Sequence, residues 1–391
     1  MRLIQIRHVH GGRRTGVVSD GSIALLRGGE SIYAFAQLAL DGRASLSAVV
    51  EGSVTQEALD YDAVYLGASD WRILPAMDHP VEAARCLVSG TGLTHMASAK
   101  NRDAMHAKSM EQTAAQVEKT AGRVEEAARV EQTAQVEQTA GGERTAAGGG
   151  RTAAGGGRAS GAWTGQEARP TETDSMRMYR LGVEGGRPAA GEIGAAPEWF
   201  YKGSGMVLRA HGEPLDIPPH AEDGGEEPEI AGVYVIDSTG APRRVGMAQG
   251  NEFSDHRFEK RNYLNLAASK LMTCAIGPEL VVDPEFGSVA GEVSIERGGA
   301  AIWRKQIRSG DSAMSHSLAN LEHHHFKHAG HRRPGDVHVH FFGADAFSFG
   351  EGITLQDGDV MQVQFDGFGR ALRNPLRVAG ASRTLFAALP L

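Results

Sequence analysis

The chain has 391 residues, more than one average domain, so two domains are expected. Hydrophobic residues are 41% and charged residues 23%, as in a globular protein with a core, and the net charge of −8 comes from acids and bases mixed along the chain. That mixture excludes a nucleic-acid binder, two cysteines exclude a disulfide framework or a thiolate metal site, and no apolar run reaches the length of a membrane span.

The first stretch, Met1-Arg2-Leu3-Ile4-Gln5-Ile6-Arg7-His8, alternates like a short strand and lacks the apolar core of a signal peptide, which predicts a cytoplasmic protein with small-molecule ligands. Residues 1–85 read as a small α/β module. Short apolar runs are broken by Gly11-Gly12, Asp20-Gly21 and Gly28-Gly29; Ser31 to Leu40 and Leu46 to Val54 suit helices, and Ala63 to Leu66 suits a strand. A second region, 86–391, opens at Cys86-Leu87-Val88-Ser89-Gly90 and is interrupted over 107–172. No Leu, Ile or Phe occurs from Glu111 to Glu172, and Val-Glu-Gln-Thr-Ala recurs at Val130 and Val136, so a disordered insertion grown from repeats is expected there. From Gly232 onward strands dominate: 233–236, 279–282, 289–295, 301–303, 337–342 and 360–365, with helices only around 261–273 and 314–328. Close spacing of many strands predicts a β-rich α+β fold with a rolled, mostly antiparallel sheet.

Glu226-Glu227-Pro228-Glu229-Ile230 precedes an apolar strand. Glu227 and Glu229, two apart at a strand entrance, present carboxylates to one face. Such a pair repels itself unless a cation lies between, and oxygen-only ligation suits Mg²⁺ or Mn²⁺. The competing explanation is a solvated acidic turn. Downstream, Asn251-Glu252-Phe253-Ser254 offers Glu252 as a third carboxylate. Lys270, alone in an apolar helix, is either a snorkelling surface lysine or a desolvated lysine of an active site.

In order and spacing, Glu227-Pro228-Glu229, Asn251-Glu252-Phe253-Ser254, Ser269-Lys270, Gly358-Asp359-Val360 and Gly367-Phe368-Gly369 resemble the fumarylacetoacetate hydrolase superfamily. The resemblance spans about 86–391 without the insertion, and the small N-terminal module suits it. It implies a fumarylacetoacetate hydrolase-like mixed β-roll catalytic domain and a homodimer. It further implies metal ligation by Glu227, Glu229 and Glu252, with glutamate where the family has Asp, and substrate binding by Lys202, Asn251 and Ser254. Lys270 and His95 become the acid/base candidates. The hydrolases carry Arg in place of His256 and Gln in place of Glu259, which weakens a hydrolytic reading. Gly90-Thr91-Gly92-Leu93-Thr94-His95 and His338-Val339-His340-Phe341-Phe342-Gly343 are similar to the sugar-acid branch, the 2-keto-3-deoxy-pentonate dehydratases that form 2-oxoglutarate semialdehyde. In either branch a Lewis-acid cation stabilises the enolate of a 2-oxo acid. The expectation is therefore a Mg²⁺-dependent dehydratase of a 2-oxo sugar acid. An acylpyruvate C–C hydrolase is the first alternative, and a non-catalytic sugar-acid binder the second.

Half of the sixteen histidines lie between His316 and His340. His338 and His340 would face one way on a strand, a pair able to bind Zn²⁺ in a cupin-like or zinc-hydrolase site. Structural histidines on a partly exposed helix are the favoured reading. No phosphate loop and no Gly-x-Ser-x-Gly elbow occurs, so nucleotide and serine-nucleophile chemistry are set aside.

Overall fold

In a computed structural model of the chain, residues 1–19, 21–104, 172–380 and 385–391 are described. The insertion expected at 107–172 falls outside them except for Glu172. The chain begins with β1 (Arg2–His8), β2 (Arg13–Ser19) and β3 (Ser22–Leu26), then α1 (Ile32–Gly42) and α2 (Leu46–Glu51). β4 (Val54–Asp60), α3 (Tyr61–Tyr65), β5 (Trp71–Ile73) and β6 (Cys86–Gly92) follow. Next come α4 (helical over 96–104), α5 (Asp174–Gly185), β7 (Glu198–Ser204), β8 (Leu208–Arg209) and β9 (Leu215–Ile217). The long hairpin β10 (Pro228–Ile236) and β11 (Pro242–Asn251) leads into α6 (His256–Arg261) and α7 (Leu266–Ser269). β12 (Cys274–Ile276), β13 (Leu280–Val281), β14 (Val289–Arg297) and β15 (Ala300–Ser309) precede α8 (Leu318–Phe326). β16 (Val337–Phe341), β17 (Val360–Phe365) and β18 (Leu372–Val378) complete the order.

One large sheet runs β4-β3-β2-β1-β13-β11-β10-β16-β6-β7, and a second runs β15-β14-β17-β18-β9. Pairing is antiparallel except at β16–β6, β12–β8 and β18–β9, so the rolled, mostly antiparallel β-rich architecture is the one found. Residues 1–85 extend the same large sheet, because β1 pairs β13 with Arg2 opposite Val281. β10 is the innermost strand around the site. All nine of its residues are buried, as its unbroken apolar run requires of a strand flanked by β11 and β16 and covered on both faces. Val233 and Val235 enter a core with Leu3, Phe35, Val339 and Phe341, which ties the N-terminal strands to the site strands. No helix among the described residues is long and apolar enough to cross a membrane.

Three local expectations are corrected. Residues 63–65 belong to a helix capped by Leu66, not a strand: Asp60 Oδ1 accepts from Asp62 N at 2.8 Å, starting α3, which buries Tyr61 and Val64 one turn apart. The helix expected over 261–273 is broken at Asn262, which adopts φ −160°, ψ 132° and whose side chain caps a new turn at Leu264 N. The helix expected over 314–328 starts only at Leu318, where Ser317 Oγ accepts from Asn320 N.

Candidate metal centre

The β10–β11 hairpin explains how three glutamates meet. Its turn lies at one end, so the start of β10 and the end of β11 lie together at the other, with Pro228 opposite Asn251. Glu229 lies in the first strand, Glu227 just before it and Glu252 just after the second, locked by Glu252 N donating to Glu227 O at 2.9 Å. One ligand oxygen from each of the three lies within 4.8 Å of the others, and all three residues are buried. The solvated-turn explanation therefore fails.

Two lysines converge on these carboxylates. Lys270 Nζ donates to Glu227 Oε1 at 2.6 Å and Glu252 Oε2 at 2.5 Å, fully buried and 4.7 Å from the Phe200 ring centre. It is a desolvated site lysine, not a snorkelling one. Lys202 Nζ pairs with Glu252 Oε1 at 2.7 Å and donates to Phe253 O at 2.5 Å. His256 Nε2 approaches Glu227 Oε1 at 2.9 Å while its ring stacks on Phe347. Burial opposes ionisation of Glu227, but Lys270 and His256 outweigh it and hold that carboxyl well below the usual range. Glu229 goes the other way. Burial, then the charges of Glu252 and Glu227, push it well above the carboxylate range. Burial pulls Lys270 down, yet Glu227 and Glu252 overcome it and keep the amine an ammonium.

The residues fit a divalent cation. Glu229 Oε2 accepts from Gly343 N at 2.7 Å, but its Oε1 is buried without a hydrogen-bond partner. An orphaned carboxylate oxygen facing two further carboxylates is costly unless a cation completes it. Opposite ligands across a Mg²⁺ ion stand about 4.2 Å apart, so the observed spread needs little adjustment.

Asn251, Ser254 and Lys202, expected to contact substrate, are engaged by the carboxylate frame in this structure. Asn251 Oδ1 accepts from Glu227 N and Phe253 N, both at 3.2 Å. Ser254 Oγ lies 3.1 Å from Glu252 Oε2. These residues orient the ligands. His95 is buried beside Thr94, whose hydroxyl donates to Phe342 O at 2.7 Å. That hydroxyl can then only accept at 2.9 Å from His95 Nδ1, which assigns the proton to Nδ1 and leaves Nε2 as a bare lone pair without a partner. Burial lowers this imidazole to about 4, so it is neutral at physiological pH. Thr94 packs against Gly343, whose N–H donates to Glu229.

Several site residues escaped the sequence reading. Glu226, quoted in the motif but given no role, is fully buried and held by Ser348 N at 2.6 Å and Ser348 Oγ at 2.9 Å. Arg102 Nη1 pairs with Glu198 Oε1 and its Nε with Glu259 Oε1, each at 2.8 Å, and Tyr263 OH donates to Glu198 Oε2 at 2.6 Å. Burial disfavours the charge on Arg102, but Glu259 and Glu198 hold it firmly protonated. The one available signal was the unusual count of ionisable residues in otherwise apolar stretches.

The histidine segment is a different object. His338 and His340 do share one face of β16, as expected. They meet His325, with ring centres 5.0 and 4.3 Å away, and His325 bonds His338 Nδ1 at 2.9 Å. Trp199 Nε1 donates to His325 Nδ1, and Ser89 Oγ lies 2.9 Å from His340 Nδ1. Among the described residues the glutamate triad alone gathers three ligand atoms closely enough for a metal.

No family model matches the chain, and no curated protein matches it by sequence. Solved structures do match. The hexagonal form of 2-keto-3-deoxyarabinonate dehydratase superposes with a TM-score of 0.60 at 16% identity, covering 97% of this chain and 100% of that one. The 2-keto-3-deoxy-D-arabinonate dehydratase complexed with magnesium and 2,5-dioxopentanoate gives 0.60 at 16% identity, with 97% and 99% covered, and its apo form gives 0.59 at 16%, with 97% and 100% covered. The fold is the fumarylacetoacetate hydrolase-like fold that the motifs predicted.

Proposed function

We propose that this chain is a magnesium-dependent dehydratase of a 2-keto-3-deoxy sugar acid, such as a 2-keto-3-deoxy-pentonate. The observation that carries the reading is the buried Glu227–Glu229–Glu252 group with its orphaned oxygen. Its support is the shared fold of a dehydratase whose structure holds magnesium and 2,5-dioxopentanoate. Glu227, Glu229 and Glu252 would hold the cation, which when bound acts as a Lewis acid toward the 2-oxo acid.

The chain's own groups do the proton work. His95 Nε2, a neutral lone pair in a buried site, accepts the proton from C3. The electrons of that C–H bond pass through the enolate of the 2-oxo group and expel the C4 hydroxyl. Lys270, an ammonium, protonates that hydroxyl as it leaves, so the product is water. Proton shifts along C3 to C5 then turn the C5 alcohol into the aldehyde of 2-oxoglutarate semialdehyde. Lys202 and Ser254 keep Glu252 in place throughout.

The test is chelator-stripped protein resupplied with Mg²⁺ and offered 2-keto-3-deoxy-pentonates and an acylpyruvate, with products read by mass. Mg²⁺-dependent loss of one water from the sugar acid is expected. Cleavage of the acylpyruvate into two acids would replace dehydration by hydrolysis on the same site.

A further inference from the structure

Arg102 stands on α4, seven positions after His95, and its side chain is 7% exposed. Its two salt-bridge partners belong to different walls of the site. Glu198 opens β7, the strand that also carries Phe200 beneath Lys270 and Lys202 against Glu252. Glu259 lies on α6, three positions after His256, which touches Glu227. Nη1 donates a hydrogen bond to the first wall at 2.8 Å, and Nε lies 2.8 Å from the second as a charge pair without hydrogen-bond alignment. A Cβ on Gly92 would lie 1.9 Å from Glu198 Oε1 and 3.1 Å from Arg102 Nη1, so backbone closes this contact from a third side.

We infer that Arg102 is a positioning residue: through Glu198 and Glu259 its guanidinium locks the segment bearing His95 to the strand bearing Lys202 and to the helix bearing His256. The inference rests on the dehydratase reading for the role of His95. A planar guanidinium suits the task because one edge donates to Glu198 while its delocalised charge lies against Glu259, so two carboxylates are reached at once. A lysine keeps the charge but is a single point donor and holds one wall at a time. Removing the cation outright would leave two buried carboxylates without compensation, so the lysine variant is the first choice.

Arg102→Lys is compared with the wild-type full chain for Mg²⁺ affinity by calorimetry, amide hydrogen exchange over 95–104, and kcat and KM on the 2-keto-3-deoxy-pentonate. The expected result is Mg²⁺ affinity within about twofold, faster exchange in α4, and kcat lower by about 10- to 100-fold at nearly constant KM, the size of effect seen when an outer support lets a reacting group drift. The charge-balanced pair Arg102→Met with Glu259→Gln removes the fork without stranding that carboxylate, and the same loss of kcat is expected. Unchanged kcat in either variant overturns the inference, as does Mg²⁺ affinity falling in step with kcat. If the wild type turns over neither substrate, the dehydratase reading fails by itself, and unchanged exchange in α4 of Arg102→Lys would then overturn the positioning role.

Discussion

On β10 and β16, adjacent strands of the large sheet, ionisable side chains gather on both faces. Glu229 shares its face with Ala231, Val233 and Val235, whereas His340 and His338 lie opposite Gly232 and Tyr234 on the other. In the glutamate cluster most charges stay: two lysines and a histidine meet Glu227 and Glu252, while Glu229, without a cationic partner, is driven up by burial and by those two charges and keeps one oxygen open. In the histidine cluster the charges go. His325, His338 and His340 are driven toward their neutral forms, His338 and His340 down to about 3, burial being the main cause and neighbouring rings adding to it. Both clusters hold buried nitrogen or oxygen atoms without a partner, so what separates them is retained charge and spacing: among the described residues only the glutamates bring three ligand atoms within 4.8 Å of one another.

The strongest way to break that contrast is Glu229→Gln. It removes the carboxylate with the orphaned oxygen, and Mg²⁺ affinity and kcat should each fall by about 10³-fold or more, the worth of several kcal/mol of Lewis-acid stabilisation. Calorimetric metal titration and steady-state kinetics check this; retention of either would end the metal assignment. Next comes Lys202→Met, which takes from the buried Glu252 one of its two ammonium partners, Lys270 remaining. A loss of about 3–5 kcal/mol of stability is expected without metal, read by denaturant unfolding, and saturating Mg²⁺ should recover part of it.

The histidine face predicts a pH dependence of opposite origin. His338 and His340 are neutral when folded down to about 3, while in the unfolded chain they take up protons near 6.5. Below pH 6.5 the unfolded state thus binds more protons, so stability is full above pH 6.5 and falls as pH drops from 6.5 toward 3. At pH 5 each ring costs up to about 2 kcal/mol. His340→Gln should flatten the dependence, seen as a smaller drop in unfolding midpoint between pH 7 and pH 5. The smallest expected effect sharpens the contrast most: in His338→Gln at pH 7, kcat and Mg²⁺ affinity should stay within about twofold of wild type. A zinc requirement or a collapse of kcat in that variant would make the histidine face part of the chemistry.

Much of this was legible along the chain. Glu227 and Glu229 lie two apart at the head of an apolar run, so strand period alone puts both carboxylates at one strand entrance. Glu252 could be proposed because the hairpin pairing its segment with β10 is local, and His338 and His340 share a face for the same reason of period. The contacts of Asn251, Ser254 and Lys202 with the glutamates were not legible. Their donors and acceptors are decided by which neighbour lies within 3.2 Å, and that depends on the turn after β11 and on β7 coming alongside.

By itself the sequence determined the β-rich architecture, the carboxylate pair and its fit to a hard divalent cation, because backbone period and ligand chemistry are properties of short segments. Only the tertiary structure decided that Lys270 is a buried ammonium between Glu227 and Glu252, that His95 keeps a bare nitrogen, and that Arg102 joins Glu198 to Glu259 across 96 and 157 positions of chain. Charge pairing and desolvation fall off over a few ångströms in space, and no pattern along the chain encodes those distances.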